Sequence, residues 1–317
     1  MLKRSKFYQN LKKIIFLYGN HYIRIFCKYE DLNIDFLIGP FWTKKIAYRF
    51  AKNYLKKYLS VPLECQILNK LELKKFKTLP KFRQDRIKCI KFNENILNLH
   101  RKDYILGQIL KIIPKEANIV DIGANTGLYS SAFAEFAKNV FSFEVSDPVL
   151  VQLIKTSKNF KNIKIVQKAV NNNSNEAFFF IDIERFSNSG LIKQVESTKK
   201  KVQCIKLDDF FSNKFKIDLI KIDTEGTELN VLKGMQNILK NHRPFVMIEC
   251  WWKQSTYKHS EVFDYFIEND YFCYTNIRSC GLINIENCET FENLSYSKEL
   301  SLLTDSDFLF SPRRLNH

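Results

Sequence analysis

The sequence predicts an α/β fold: a doubly wound, mostly parallel sheet with an antiparallel edge, preceded by a basic helical N-terminal extension. Three observations point there. Short apolar runs alternate with helix-like stretches from about residue 104 onward. Several of those runs end in an acidic residue. Positive charge is confined to the first third of the chain, where residues 1–100 hold 22 Lys/Arg against 7 Asp/Glu while the other 217 residues hold 28 against 27. The boundary drawn from this is a basic helical or mixed region over 1–100 and a second domain over 101–317.

The apolar runs are Ile119–Ile122, Val140–Phe143, Ile163–Val166, Ile217–Ile222 and Phe245–Ile248. Runs of this kind, bounded by helices, are how strands buried on both faces read. Tyr104–Ile113 precedes them as a helix. Leu128–Ala137, Pro148–Ser157, Glu228–Leu239 and Glu261–Ile267 separate them. Ala177–Ile183 and Val202–Ile205 are further strand candidates, and Phe272–Thr275 and Phe308–Phe310 are candidates for the antiparallel edge.

Residues 1–60 read as helical. In Thr43–Leu59, Ile46, Ala47, Phe50, Ala51, Tyr54, Leu55, Tyr58 and Leu59 recur at helical spacing, with Lys45, Arg49, Lys52 and Lys56 on other faces. Such a helix would pack on the neighbouring domain or lie on an anionic membrane surface. No run has the roughly 18–20 apolar residues of a membrane span, and no signal peptide is expected. Eight cysteines without C-x-x-C or zinc spacing suggest reduced thiols in the cytosol and no metal.

Val120-Asp121-Ile122-Gly123-Ala124-Asn125-Thr126-Gly127 carries the most information. A strand ends in an acid and turns through two glycines into a helix. Gly permits the tight turn, and a helix N-terminus presents free N–H groups to a carboxylate or phosphate. Glu144 ends the next strand 23 residues after Asp121, a spacing suited to ribose hydroxyls. A pyrophosphate would prefer G-x-G-x-x-G. Here the loop is G-x-x-x-G with an acid before it, which fits a cationic amino-acid cofactor, S-adenosyl-L-methionine, better than a dinucleotide. Asp223 and Glu225 follow Ile217–Ile222, and Glu249 ends the next run. In open α/β sheets that edge carries ligands, so both are active-site candidates. Helix capping is the alternative for each.

At these residues the sequence resembles the FkbM family of methyltransferases, over Val120–Ser130, Phe141–Ser146, Ile205–Phe211, Ile217–Met235 and Arg243–Cys250. The resemblance spans roughly residues 101–311. It implies a Rossmann-like class I methyltransferase sheet of seven strands, and methyl transfer from S-adenosyl-L-methionine to a hydroxyl, typically of a sugar in a glycan or a natural product. Carried over residue by residue, Asp121, Gly123, Asn125 and Gly127 would hold the methionine end and Glu144 the ribose. Ala169 and Val170 would lie near the adenine. Asp223 and Glu225 would face the acceptor, with Asp223 the first choice of base, Glu225 the second and His242 a weaker third. Ser187–Gly190 could form an acceptor-facing loop or an ordinary turn, and Trp251-Trp252 could stack on a sugar or pack in the interior.

The partners expected are a carbohydrate or glycolipid acceptor, and an anionic membrane surface through residues 1–60, on the cytoplasmic face. A +15 segment would also suit RNA, but no Asp/Asn-Pro-Pro-aromatic or Pro-Cys motif for base methylation is present. A non-catalytic peripheral membrane protein on this fold is the remaining alternative.

Overall fold

The computed structural model describes residues 21–29, 32–41, 44, 47–49, 51–52, 64–69, 104–182, 189–192, 197–211, 215–250, 257–277, 281–291 and 304–315. From residue 104 the chain runs α1 (Tyr104–Ile112), β4 (Ala117–Ile122), α2 (Leu128–Ala134), β5 (Ala137–Phe143), α3 (Asp147–Ser157), β6 (Ile163–Val166) and β7 (Ala169–Val170). There follow β8 (Glu176–Asp182), β9 (Ser197–Ile205), α4 (Leu207–Phe210), β10 (Leu219–Ile222), α5 (Glu228–Lys233), α6 (Gln236–His242) and β11 (Phe245–Glu249). The last elements are α7 (His259–Ile267), β12 (Phe272–Ile277), β13 (Gly281–Ile285) and β14 (Thr304–Ser311).

The main sheet has eight strands in the order β13-β12-β14-β11-β10-β4-β5-β6. β11, β10, β4, β5 and β6 are parallel, and β14, β12 and β13 add antiparallel pairings at one side. The sheet is thus the expected doubly wound one, with β13 as an eighth strand beyond the seven expected. Alternate residues serve opposite faces. Val120, Ile122, Ile220, Ile222, Val246 and Ile248 join the cluster under α5, α6 and α7. Ile119, Val140, Leu219, Phe245 and Met247 join the cluster under α1 and α2. With both faces covered, the strands need apolar residues at every position, which is why they read as unbroken runs.

The stretch read as one helix over Glu228–Leu239 is two. A Cβ on Gly234 would lie 2.2 Å from the Asn171 carbonyl oxygen, so the chain passes that loop only as glycine and α5 ends there. The new helix is capped from a distance: the Asp208 carboxylate accepts the N–H groups of Asn237 at 2.9 Å and Ile238 at 3.0 Å.

The N-terminal expectation of helix over residues 1–60 is corrected. β1 (His21–Tyr29), β2 (Leu32–Phe41) and β3 (Glu64–Asn69) form an antiparallel sheet ordered β2-β1-β3. Leu32-Asn33-Ile34-Asp35-Phe36 alternates with period two, and His21–Tyr29 is rich in β-branched and aromatic residues. The helical period belongs to the next stretch, where residues 44, 47–49 and 51–52 are helical. There Ala47 and Ala51 are buried against protein, while Tyr48 is 62% exposed and Lys44, Arg49 and Lys52 are exposed. β2 lies against α3. The strand candidates at 87–92 and 96–99 fall outside the described residues. Among the described residues no helix is long and apolar enough to cross a membrane.

Arg243 ties the last helices to the antiparallel side. Its guanidinium donates to the carbonyls of Asn269 at 2.6 Å, Asp270 at 2.7 Å and Pro312 at 3.1 Å, and lies 4.6 Å over the Tyr271 ring. We expect Arg243→Ala to cost about 2–3 kcal/mol in chemical denaturation, because charged hydrogen bonds are lost at one point. Arg243→Lys, which lacks the planar fork, should recover less than half of that.

Candidate functional site

β4 and β10 are neighbours at the point where the strand order reverses, the position at which a crevice opens beyond the strand ends. Gly123 makes the junction. Its φ is +76°, and a Cβ there would lie 1.8 Å from the Asp223 carbonyl oxygen. The crests of the two strands therefore meet backbone to backbone. Gly123 and Ala124 both donate to the Phe143 carbonyl at 3.0 Å, which fastens the turn to β5. Asn125 continues it in the left-handed region at φ 50°.

Beside this turn is an open cleft. Of the residues expected from the sequence, Gly123, Asn125, Glu144, Ala169, Val170, Asp223 and Glu225 line it together. Asp121 and Gly127 do not. Asp121 is fully buried behind the wall and accepts the Ser130 hydroxyl at 2.6 Å. Gly127, at φ +85°, admits Leu153, whose Cδ1 would lie 2.6 Å from an added Cβ. His242 is not in the cleft. It is buried and its Nδ1 accepts the Ile217 N–H at 3.3 Å, so it braces the entry to β10 and is not placed as a base. Ser189 and Gly190 line the cleft, with Gly190 paired to Phe180 by N–O contacts of 2.7 and 3.0 Å. Residues 187–188 and Trp251-Trp252 lie outside the described residues.

Glu144 is held by backbone donors. Oε1 accepts the N–H groups of Val145 and Ser146 at 2.8 Å each, and Oε2 accepts that of Asn125 at 2.9 Å. Burial raises its carboxyl above the ordinary range, with those three bonds pulling the other way. Oε2 keeps acceptor capacity toward the cleft. The neighbouring Ser146 hydroxyl is buried without a hydrogen-bond partner in a residue that lines the cleft. Phe143, Val145, Val170, Phe179 and Leu191 give the cleft apolar walls, and Lys168 is the cation among its lining residues.

Lys221 lies under the floor. Its ammonium is 3.0 Å from Asp223 Oδ2, 4.0 Å from Asp121 Oδ1 and 4.6 Å from the Tyr129 ring centre. Burial pulls that ammonium down, but the charges of Asp223, Asp121 and Asp307 outweigh it and hold it above the ordinary lysine range. The pairing is uneven. Lys221 has several carboxylates, whereas Asp121 has one distant ammonium, and burial leaves its carboxyl raised. Glu249 sits opposite Asp307 across the β11–β14 pair. Burial, then the charges of Asp223 and Asp307, raise it well above the ordinary range, and it shares a hydrogen bond with Asp223. Asp223 itself is 28% exposed.

The sequence reading gave no role to Lys221, Ser146 or Phe179. A signal existed for the first: a lysine in the otherwise apolar β10 is an anomaly in a strand covered on both faces.

The fold is a Rossmann-like doubly wound sheet with its cleft where the strand order reverses. Residues 121–273 match the family described as "Methyltransferase FkbM domain". That segment is an FkbM methyltransferase domain, of the class whose methyl donor is S-adenosylmethionine. No curated protein matches the chain. Among solved structures, it is similar to methyltransferase FkbM from Methylobacillus flagellatus KT at 14% identity and TM-score 0.39, covering 72% of this chain. The chain spans 56% of that protein. An rRNA methylase from Streptococcus thermophilus is 11% identical, with TM-score 0.37 and coverages of 66% and 95%. A Streptococcus mutans protein in complex with SAH is 10% identical, with TM-score 0.36 and coverages of 65% and 94%. At these values the likeness is one of chain path and decides nothing about chemistry.

Replacing Lys221 by Met should destabilise the fold by about 3 kcal/mol, the low end for breaking a buried pair, because Asp121 can take up a proton. Urea denaturation of Lys221→Met beside the Asp121→Asn/Lys221→Met double variant checks this, and the double variant should be the more stable of the two.

Proposed function

We propose that the protein transfers a methyl group from S-adenosylmethionine to a hydroxyl of a sugar in a glycan or glycan precursor, with residues 101–317 as the catalytic unit. The observation that carries this is the charge of the cleft, which among the described residues is lined by the carboxylates of Glu144, Asp223 and Glu225 against one lysine, Lys168. Such a cleft favours a cationic donor and a neutral acceptor over a polyanion. That is the argument against RNA, together with the near balance of 28 basic and 27 acidic residues beyond residue 100.

The residues fit the cofactor. Glu144 Oε2 and the Ser146 hydroxyl would take ribose hydroxyls. Ala169, Val170 and Phe179 would flank the adenine, and Gly123 and Asn125 would leave their backbone open to the methionine end. Asp121 would act from behind, fixing the turn through Ser130. Bound there, the sulfonium supplies an electrophilic methyl. Asp223 would accept the acceptor's hydroxyl proton, oriented by Lys221 on one side and Glu249 on the other. Glu225 lines the same side, and the rest of the acceleration would come from holding oxygen, methyl and sulfur in line.

Radiolabelled S-adenosylmethionine offered to separated glycan, lipid and RNA fractions tests the acceptor, and label in RNA alone would overturn the sugar reading. With the labelled fraction as substrate, Asp223→Asn should lose turnover by about 10²–10⁴-fold, against a much smaller loss of cofactor affinity by calorimetry as one of three cleft carboxylates is neutralised. Glu144→Gln should lose cofactor affinity instead.

We further propose that residues 1–60 hold this unit at an anionic membrane surface. The exposed Lys44, Arg49 and Lys52 beside Tyr48 support it, as does the burial of Ala47 and Ala51, which leaves an electrostatic contact and not an inserted apolar face. The full chain should sediment with phosphatidylserine vesicles at low salt and be released at high salt, and no sedimentation at low salt would remove this partner.

A further inference from the structure

The loop after β10 carries two of the cleft's carboxylates in an unusual backbone. Glu225 has φ 59° and Gly226 has φ 103°, two successive residues in the left-handed region. A glutamate there persists only where its surroundings fix it. What fixes it is Glu228, the first residue of α5. Its Oε1 accepts the Thr224 N–H at 3.1 Å, the Thr224 hydroxyl at 3.1 Å and the Gly226 N–H at 3.0 Å. Those donors bracket Glu225. The other oxygen, Oε2, accepts a short hydrogen bond from the Tyr257 hydroxyl, which comes from just before α7 and 29 residues away.

We infer that Tyr257 is a positioning residue of the cleft, acting through Glu228 to hold the Thr224–Gly226 turn that presents Glu225 and follows Asp223. This rests on the reading of the cleft as the methyl-transfer site.

Three titratable groups face Glu228: Tyr257, Cys250 from the end of β11 and Asp223 from the end of β10. Burial, followed by the charge of Glu228, raises the Tyr257 phenol far above its ordinary range, so it stays protonated and donates. Cys250 is pushed up by burial, then by Glu228, and stays a thiol. Glu228 is itself raised by burial, and the Tyr257 bond is the first force against that. Without the phenol hydroxyl, Glu228 would protonate more readily and grip the turn less well. Tyr257 therefore acts on the acceptor strength of a carboxylate, beyond its own packing.

Amide hydrogen exchange on the full chain reads this without any acceptor. In Tyr257→Phe the amides of Thr224 and Gly226 should exchange at least tenfold faster than in the wild type at the same pH, increasingly so as the pH falls, while those of β4 and β5 stay within twofold. Glu228→Gln, which also weakens the acceptor, should speed the same two amides, and it stands in if Tyr257→Phe does not fold. S-adenosylmethionine affinity, by calorimetry, should fall several-fold in both. Unchanged exchange at the two amides, or equal acceleration throughout the sheet, would overturn the inference. Failure of the wild type to bind S-adenosylmethionine would instead sink the cofactor reading and leave the exchange result standing.

Discussion

The site is organised around one buried ammonium. Lys221 is the third residue of a four-residue strand that is buried on both faces, where a charge is tolerated only if acids meet it. Asp121 approaches from β4 and Asp223 from its own strand end, and Asp307 on β14 adds its charge. A bond between Lys221 and Asp223 alone would stabilise the pair. The further acids outnumber the one buried lysine that they face. Burial raises the carboxyls of both Glu249 and Asp121, and for Glu249 the charges of Asp223 and Asp307 add to it. An acidic edge beside apolar walls would suit the proposed donor, whose sulfonium is a cation that is itself only partly hydrophilic.

Geometry at the same edge depends on an absence of side chain. Because Gly123 has no Cβ, the Asp223 carbonyl can sit against the turn after β4. Any residue larger than glycine would part the strand ends where the sheet order reverses, and would carry Glu144 away from Asp223 with them. Of the acids that line the cleft, Glu144 comes from the end of β5, and Asp223 and Glu225 come from the end of β10. Their mutual placement is therefore a property of the sheet, while the loops adjust only the last few ångströms.

Much of this was legible in the sequence. Strands buried on both faces announce themselves as unbroken apolar runs, and each core run placed a strand. Asp121, Glu144 and Asp223 were found because strand-end acids stand out against such runs. What stayed hidden depends on distance in sequence. The break at Gly234 is dictated by Asn171, and the cap on α6 comes from Asp208. The N-terminal sheet was missed for a different reason: its period-two strands adjoin a strongly helical stretch that dominates any long window. Asp121 was placed in the site by its motif, and it is the motif's buried neighbour Ser130 that explains why it stands behind the wall.

The division of charge also acquires a physical meaning. Positive charge gathers before residue 100, whereas the segment that carries the cleft is near balance, with 28 basic and 27 acidic residues. The chain can therefore be strongly cationic as a whole, with a net formal charge of +16, and still present a negative cleft. A uniform spread of the same lysines would place cations near Glu144 and Asp223 and weaken their hold on a cationic donor. Under the proposed membrane contact, segregation would let one part of the chain meet an anionic surface while the other keeps its acidic cleft. Lys221, buried beneath the floor, fixes Asp223 without lining the cleft.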